Sequence, residues 1–400
     1  MNIPKVTHLN THIKEYVDVM NGQGVFVFSA NSNDMAHFTL YNIDKTDGIC
    51  VKVTKEQVLV NRIGILSPYI DNNNTKGLSQ LKRVYYWFSF DAQNQKFHFG
   101  IGEARIETAI YSHTLVFDVE RDDLRKDHKK FLESLVSIHI NESIIPIRLL
   151  RDPITNSIPL LVSDNLSMID IASYRYMPKA HLSLTAQKLY DCIAGDNFIL
   201  DTDDFPEFSK AIQNSIINPD GWCYKRLLAK ANEFNKDKPN LNETYLRITL
   251  GQNNGESPGI PYVMEIWPSG HYSPIHNHGG SEAIIRVLHG SINVSLYPFL
   301  CNEEIKFAEA NFNKEDITWI SPTLNQTHKL RNIVNDVCIT IQCYMYNNED
   351  MVHYDYFDYL DTDNNILQYE PDSDMEFIDF KNIMKKEWEQ NNPKKLFCCI

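Results

Sequence analysis

The stretch HYSPIHNHGGSEAIIRVLHG, residues 271–290, sets His271, His276 and His278 close together ahead of a run of alternating apolar and polar residues. His276 and His278 are separated by one residue, so on an extended strand both side chains leave the same face and can share one ion. A third donor must come from elsewhere. His328 is the candidate, because it lies in SPTLNQTHKLRN, just after the strand-like ITWIS, where a neighbouring strand could bring it to the pair. Around these residues, from Tyr245 to Tyr346, the segments TYLRITLG, YVMEIWPSG, EAIIRVLHGSINVSLYPF, HKLRNI and VCITIQCYMY all have strand patterning.

Outward from this β region the pattern changes twice. Between about residues 165 and 240, LSLTAQKLYDCIAG and FPEFSKAIQNSIINP keep apolar residues at helical spacing. The first has a Thr that can cap it and ends at Gly195; the second stops before Pro219. Residues 20 to about 165 again read as short strands, among them GVFVFSA, HFTLYNI, GICVKVT, VYYWFSFDA and KFHFGIG. Within them RDDLRKDHKKFLESLVSIHI is predicted helical, and so is FIDFKNIMKKEWEQ in the tail. The expectation is a mainly β chain in two parts: a β-sandwich over 1–165, then 166–400 with a helical lead-in at 180–230, a barrel at 245–347 and a tail at 348–400.

Composition narrows the function classes. A net charge of -14 over 400 residues argues against nucleic-acid or anionic-membrane partners, which need a cationic face. No run of about eighteen apolar residues occurs and the amino terminus lacks a signal-peptide pattern, so the expected location is cytoplasmic. The eight cysteines include no CxxC pair and read as small buried residues. The terminal FCCI lacks a prenylation cysteine at Phe397, so an unmodified tail is expected, with palmitoylation of Cys398 and Cys399 the alternative.

GHYSPIHNHGGSEAIIRVLHG resembles the first cupin motif, and WISPTLNQTHKLRN, with Pro322, His328 and Asn332, resembles the second. The approach strand YVMEIWPSGHYSPIHNH and the preceding helices narrow the resemblance to the cysteine dioxygenase (thiol dioxygenase) family, over about residues 183–347. That resemblance implies Fe(II) held by His276, His278 and His328, with a small thiol and dioxygen as substrates and a sulfinic acid as product. It implies that Arg226, with Tyr224 in a Tyr-x-Arg arrangement, holds the substrate carboxylate, and that Tyr344 donates a hydrogen bond in the site. The chemistry is coherent, since three neutral imidazoles leave positions open on the metal and a guanidinium fork matches a carboxylate.

The chain departs from the family in two places. Where the family has Ser-x-His-x-Tyr, this sequence has Thr340, Gln342 and Tyr344; glutamine can orient a hydroxyl but cannot exchange a proton near neutral pH. After His278, Glu282 and Ala283 face opposite ways because strand side chains alternate, and counting back from Gly290 places Ala283 inward. Ala283 inside leaves no cysteine to crosslink Tyr344, as animal members do; Glu282 inside would make a four-ligand cupin oxygenase or isomerase using Mn or Ni. A non-catalytic, ligand-binding cupin is the reading from another class. The first part, through VYYWFSFDAQNQKFHFGIGEARIETAIY, resembles a β-sandwich module named after farnesoic acid methyltransferase, with a turn expected at Gly100 and Gly102 and a ligand that the sequence does not identify.

Overall fold

A computed structural model describes the chain apart from residues 1–4, 17–21, 31–34, 65–69, 73–76, 80, 82–83, 115–128, 235–237, 252–261, 347–355 and 393–400. Cys398 and Cys399 therefore lie outside the described residues. The chain divides into two compact units, 1–157 and 158–400. The boundary falls before residue 165 because Leu161–Ser163 is a strand of the second unit, paired with Tyr176–Pro178 and with the strand Ile317–Ile320.

The first unit holds two six-stranded sheets. Alternation puts Phe26, Phe28 and Phe88 of one sheet and Phe38 of the other on facing sides, and Phe38 meets all three edge-on at 5.1–5.6 Å between ring centroids. The predicted helix over RDDLRKDHKKFLESLVSIHI is corrected: residues 129–133 are helical, but Leu135–Ile140 is a strand paired with Ala36–Asn42. Its alternating LVSIHI pattern buries Leu135, Ser137 and Ile138 between strands, and that pairing overrides the helical spacing read upstream. Gly102 takes the positive φ of a turn, 88°. Gly100 instead belongs to a strand opposite Trp87, where an added Cβ would sit 2.2 Å from the indole.

In the second unit the barrel strands form two layers, antiparallel within the runs that follow. One runs in the order Ile317–Ile320, Glu282–His289, Cys338–Met345, Tyr262–Trp267, Leu246–Gly251. The other runs Ala308–Asn313, Ser291–Tyr297, Thr327–Arg331, and continues through bridges from Arg331 to Tyr272 and from His328 to His276. Strands distant in sequence are neighbours in both layers, which is the strand order of a double-stranded β-helix, the cupin barrel. Gly290, at φ 73°, turns the chain from one layer to the other; a Cβ there would meet the Val337 carbonyl at 2.6 Å.

Three helices of the lead-in, Leu184–Ile193, Phe208–Ile217 and Trp222–Phe234, contribute to the apolar cluster on the outside of the first layer. The first is capped by the Ser183 hydroxyl, which accepts from Ala186 N at 3.0 Å, and Thr185 lies inside the helix. The tail has a defined seat. Met375–Glu376 adds a parallel strand to Leu246–Gly251, and the helix Phe377–Asn391 buries Phe380 against Phe208 and Trp222. Among the described residues no helix is long and apolar enough to cross a membrane.

Gly100→Ala is expected to destabilise the protein by about 1–3 kcal/mol, because the methyl must displace a well-packed indole. A fall in the melting temperature by calorimetry checks this; an unchanged value would mean that Trp87 moves aside freely.

Candidate functional site

His276 and His328 face each other across an antiparallel bridge: His276 N donates to the His328 carbonyl, and His328 N to the His276 carbonyl, each at 3.0 Å. His278 follows on irregular backbone, not on a continuous strand, and opens a turn through Gly279 and Gly280, both at positive φ. The three rings converge, with centroids 4.7–4.9 Å apart, and their donor atoms all lie within 4.8 Å of one another.

Hydrogen bonding decides which nitrogen each ring offers. Nδ1 of His276 donates to the Pro274 carbonyl and Nδ1 of His328 to the Asn325 carbonyl, both at 3.0 Å, so the neutral tautomer leaves Nε2 of each ring free as a ligand. Nε2 of His278 lies 3.1 Å from Nε2 of His328, within the range of about 2.9–3.4 Å expected for two imidazoles on one metal at about 2.0–2.1 Å. Among the described residues the buried Nδ1 of His278 has no hydrogen-bond partner. Burial pushes all three imidazoles well below their ordinary range, His276 to about 3 and His328 to about 4, with like-charge repulsion from His328 adding to the effect on His276 and His278. Neutral imidazole is the form that binds metal, so the donor set fits a metal ion.

Glu282 is not part of this group. Its carboxylate accepts from the Ser183 hydroxyl at the start of the helix Leu184–Ile193. Ala283, opposite Tyr344 in the sheet register, packs instead with Val263, Ile285, Ile320 and Tyr344. Alternation along one strand thus turns the carboxylate outward and the methyl inward, and removes the four-ligand reading. His271 binds the Thr244 carbonyl and His289 pairs with Asp336; neither belongs to the three-histidine group.

The three histidines line a cavity of about 490 Å³, together with Tyr245, Arg247, Glu265, Gln342 and Tyr344. Arg226 and Tyr224, expected as the carboxylate clamp, are corrected: neither is among the lining residues. They sit on the helix Trp222–Phe234, where Arg226 donates to Asp374 and Glu233, at 2.7 Å each. Asp374 also accepts from Lys230 and from the Arg247 backbone, so this cluster fastens the tail to the barrel. The arginine in the cavity is Arg247, two residues after Tyr245. The same Tyr-x-Arg spacing occurs twice in the sequence, and only the copy on a barrel strand reaches the cavity.

Glu265, missed in the sequence, is 3% exposed and pairs with Arg247 at 2.5 Å. Its signal was a charge inside the apolar strand YVMEIW. Burial pushes its carboxyl up, while Arg247 and Lys230 pull it down. Gln342 Nε2 donates to Glu265 at 2.5 Å, and the Tyr344 hydroxyl donates to Gln342 Oε1. Thr340 lies behind Gln342, 3.3 Å from its amide nitrogen, and does not line the cavity. Tyr344 stacks on His278, with Phe357 packed on the same imidazole. Phe357 belongs to the hairpin Phe357–Leu360 and Ile366–Tyr369, which walls the cavity and is held by Asn277 N on Asp358 O and Leu360 N on Ile275 O, at 2.9 Å each.

No family model matches the chain. Among solved structures, a cupin domain of an XRE-family transcriptional regulator from Enterobacter cloacae is 11% identical, covering 22% of this chain and 81% of that one, at a TM-score of 0.18. A predicted oxalate decarboxylase from Thermotoga maritima is 14% identical over 22% of this chain and 65% of that one, at 0.17. The galectin LEC-6 of Caenorhabditis elegans is 10% identical over 38% of this chain and 97% of that one, at 0.27. The cupin assignment rests on the strand order and the three-histidine geometry.

Two outcomes follow from the site. His328→Ala is expected to lower Co(II) affinity by at least about tenfold, whereas Glu282→Gln leaves it unchanged, as read by the visible spectrum on titration. The unfolded chain protonates these imidazoles near 6.5, while the folded protein holds His328 neutral down to about 4 and His276 to about 3. The unfolded state therefore binds more protons below pH 6.5, and metal-free stability falls as pH drops through that window, by up to about 1.4 kcal/mol per unit for each histidine. Urea midpoints at several pH values check this: His276→Gln should flatten the slope, and an unaltered slope would contradict it.

Proposed function

We propose that the protein is a non-haem Fe(II) thiol dioxygenase that adds both atoms of dioxygen to the sulfur of cysteine or a similar small thiol, giving a sulfinic acid. The observation that carries this reading is a set of three neutral imidazoles converging in one cavity, joined by no carboxylate among the described residues, with an arginine in the same cavity. Iron(II) held by His276, His278 and His328 would supply the open positions and the redox chemistry that dioxygen requires. The reaction is balanced as thiol plus dioxygen to sulfinic acid, with no further reductant.

The remaining work falls to the chain's own residues. Arg247 is in the position to hold a carboxylate: it is buried, its charge is kept by Glu265, and among the described residues its Nε has no hydrogen-bond partner. Phe357 and the hairpin that carries it cover His278 and restrict water at the imidazoles. The cavity size suits a small-molecule ligand.

The test is reconstitution with Fe(II) in the absence of oxygen, then addition of oxygen with cysteine or other small thiols while oxygen uptake and sulfinate are followed. Uptake absent for every thiol would overturn the reading. Arg247→Ala is expected to raise KM for cysteine by about tenfold or more, the loss of a charge-assisted bidentate contact. Arg226→Ala should change thermal stability and leave KM alone.

A further inference from the structure

A second cavity, of about 20 Å³, lies between the two layers of the barrel, and His328 lines it as well as the large one. Strand alternation builds its wall. Ile285 and Val287 of Glu282–His289, Ile292 and Leu296 of Ser291–Tyr297, Phe312 and Ile320 line it and are buried. Leu160 and Val294, both half-buried, close its outer end. The polar side chains on the wall are already engaged: Thr318 Oγ1 donates to the Leu160 carbonyl at 2.9 Å, Asn325 Nδ2 to the Trp319 carbonyl and His328 Nδ1 to the Asn325 carbonyl at 3.0 Å each. A buried water needs about two to four polar partners, and one water-sized molecule needs about 10–15 Å³, so this wall favours a single small apolar molecule over water.

We propose that this cavity takes up dioxygen and supplies it to the three-histidine site from between the barrel layers, while the thiol enters through the large cavity. The supply role rests on the thiol dioxygenase reading; the affinity of the cavity for dioxygen does not. Dioxygen is apolar and gains by leaving water for an apolar wall. The large cavity offers it little, because Glu243, Glu303, Asp361 and Asp363 are among its lining residues and the thiol must occupy the same space. Ile285 and Ile320 extend the small cavity toward Ala283 and Tyr344, with which they pack. None of Ile285, Ile320 and Ala283 has a side chain that hydrogen-bonds, so dioxygen passing among them breaks no polar contact of theirs.

The first test needs neither iron nor turnover. Dissolved dioxygen is paramagnetic and speeds the relaxation of methyl groups close to it. In the metal-free wild-type protein under raised oxygen pressure, the methyls of Ile285, Val287, Ile292 and Leu296 should gain several-fold more relaxation by NMR than those of Ile248 and Ile339, which are as deeply buried but belong to the apolar cluster outside the first layer. An equal gain in both groups would overturn the proposal.

The second test reads the supply role. Val294→Phe puts a ring into the outer end of the small cavity, and Val294 does not line the large one. In the iron-loaded protein this variant should raise KM for dioxygen several-fold and leave KM for cysteine unchanged. A KM for dioxygen that stays the same, or two constants that rise together, would overturn the supply role. Overpacking costs about 1–3 kcal/mol, so if Val294→Phe does not fold, Val294→Ile, with one added methylene, should move KM for dioxygen in the same direction by less. Absence of thiol oxidation in the wild type would remove the proposed function, and the methyl relaxation would still decide whether the cavity takes dioxygen.

Discussion

The reciprocal backbone hydrogen bonds between His276 and His328, 3.0 Å each way, are the constraint on which the site depends. They join residues some fifty positions apart and set two imidazoles on one side of the barrel wall. The third is delivered by the turn at Gly279 and Gly280, whose positive φ values no bulky residue would adopt cheaply. The double-stranded β-helix is what makes this pairing available, because its strand order lays Thr327–Arg331 beside the chain at 272–276.

Burial then acts on every polar group in the cavity. The imidazoles are kept neutral by lost hydration and by one another, which makes them ready ligands. Arg247 and Glu265 hold each other as a buried ion pair, and removing one partner of such a pair costs about 3–5 kcal/mol. Gln342 fits between that pair and Tyr344 because an amide carries a donor and an acceptor side by side. Where a histidine at this position could exchange a proton, glutamine only donates to Glu265 and accepts from Tyr344.

The histidine pair, the distant third histidine, the inward Ala283 and the strands on either side were all legible, because spacing and alternation act within a few residues. Other features were not. Arg226 and Arg247 share the Tyr-x-Arg context, and local sequence does not say which is drawn to Asp374 and which lines the cavity. The segment Leu135–Ile140 follows a helical turn and reads with it, yet pairing with Ala36–Asn42 makes it a strand. The seam at residue 157 was missed because Leu161–Ser163 joins the second unit through partners some 15 and 155 residues further along.

By itself the sequence determined the two-part, mainly β architecture, the acidic balance, the helical lead-in and the residues able to bind a metal. These depend on composition and on periodicities of 2 and 3.6 residues, which are properties of short segments. Tertiary structure alone decided that Arg247 lines the cavity, that Glu265 is its counter-charge, that the hairpin from Phe357 to Tyr369 forms one wall, and that the Tyr344 hydroxyl donates to Gln342. Each of these depends on which strands become neighbours and which polar groups lose water together, and no short segment contains that information.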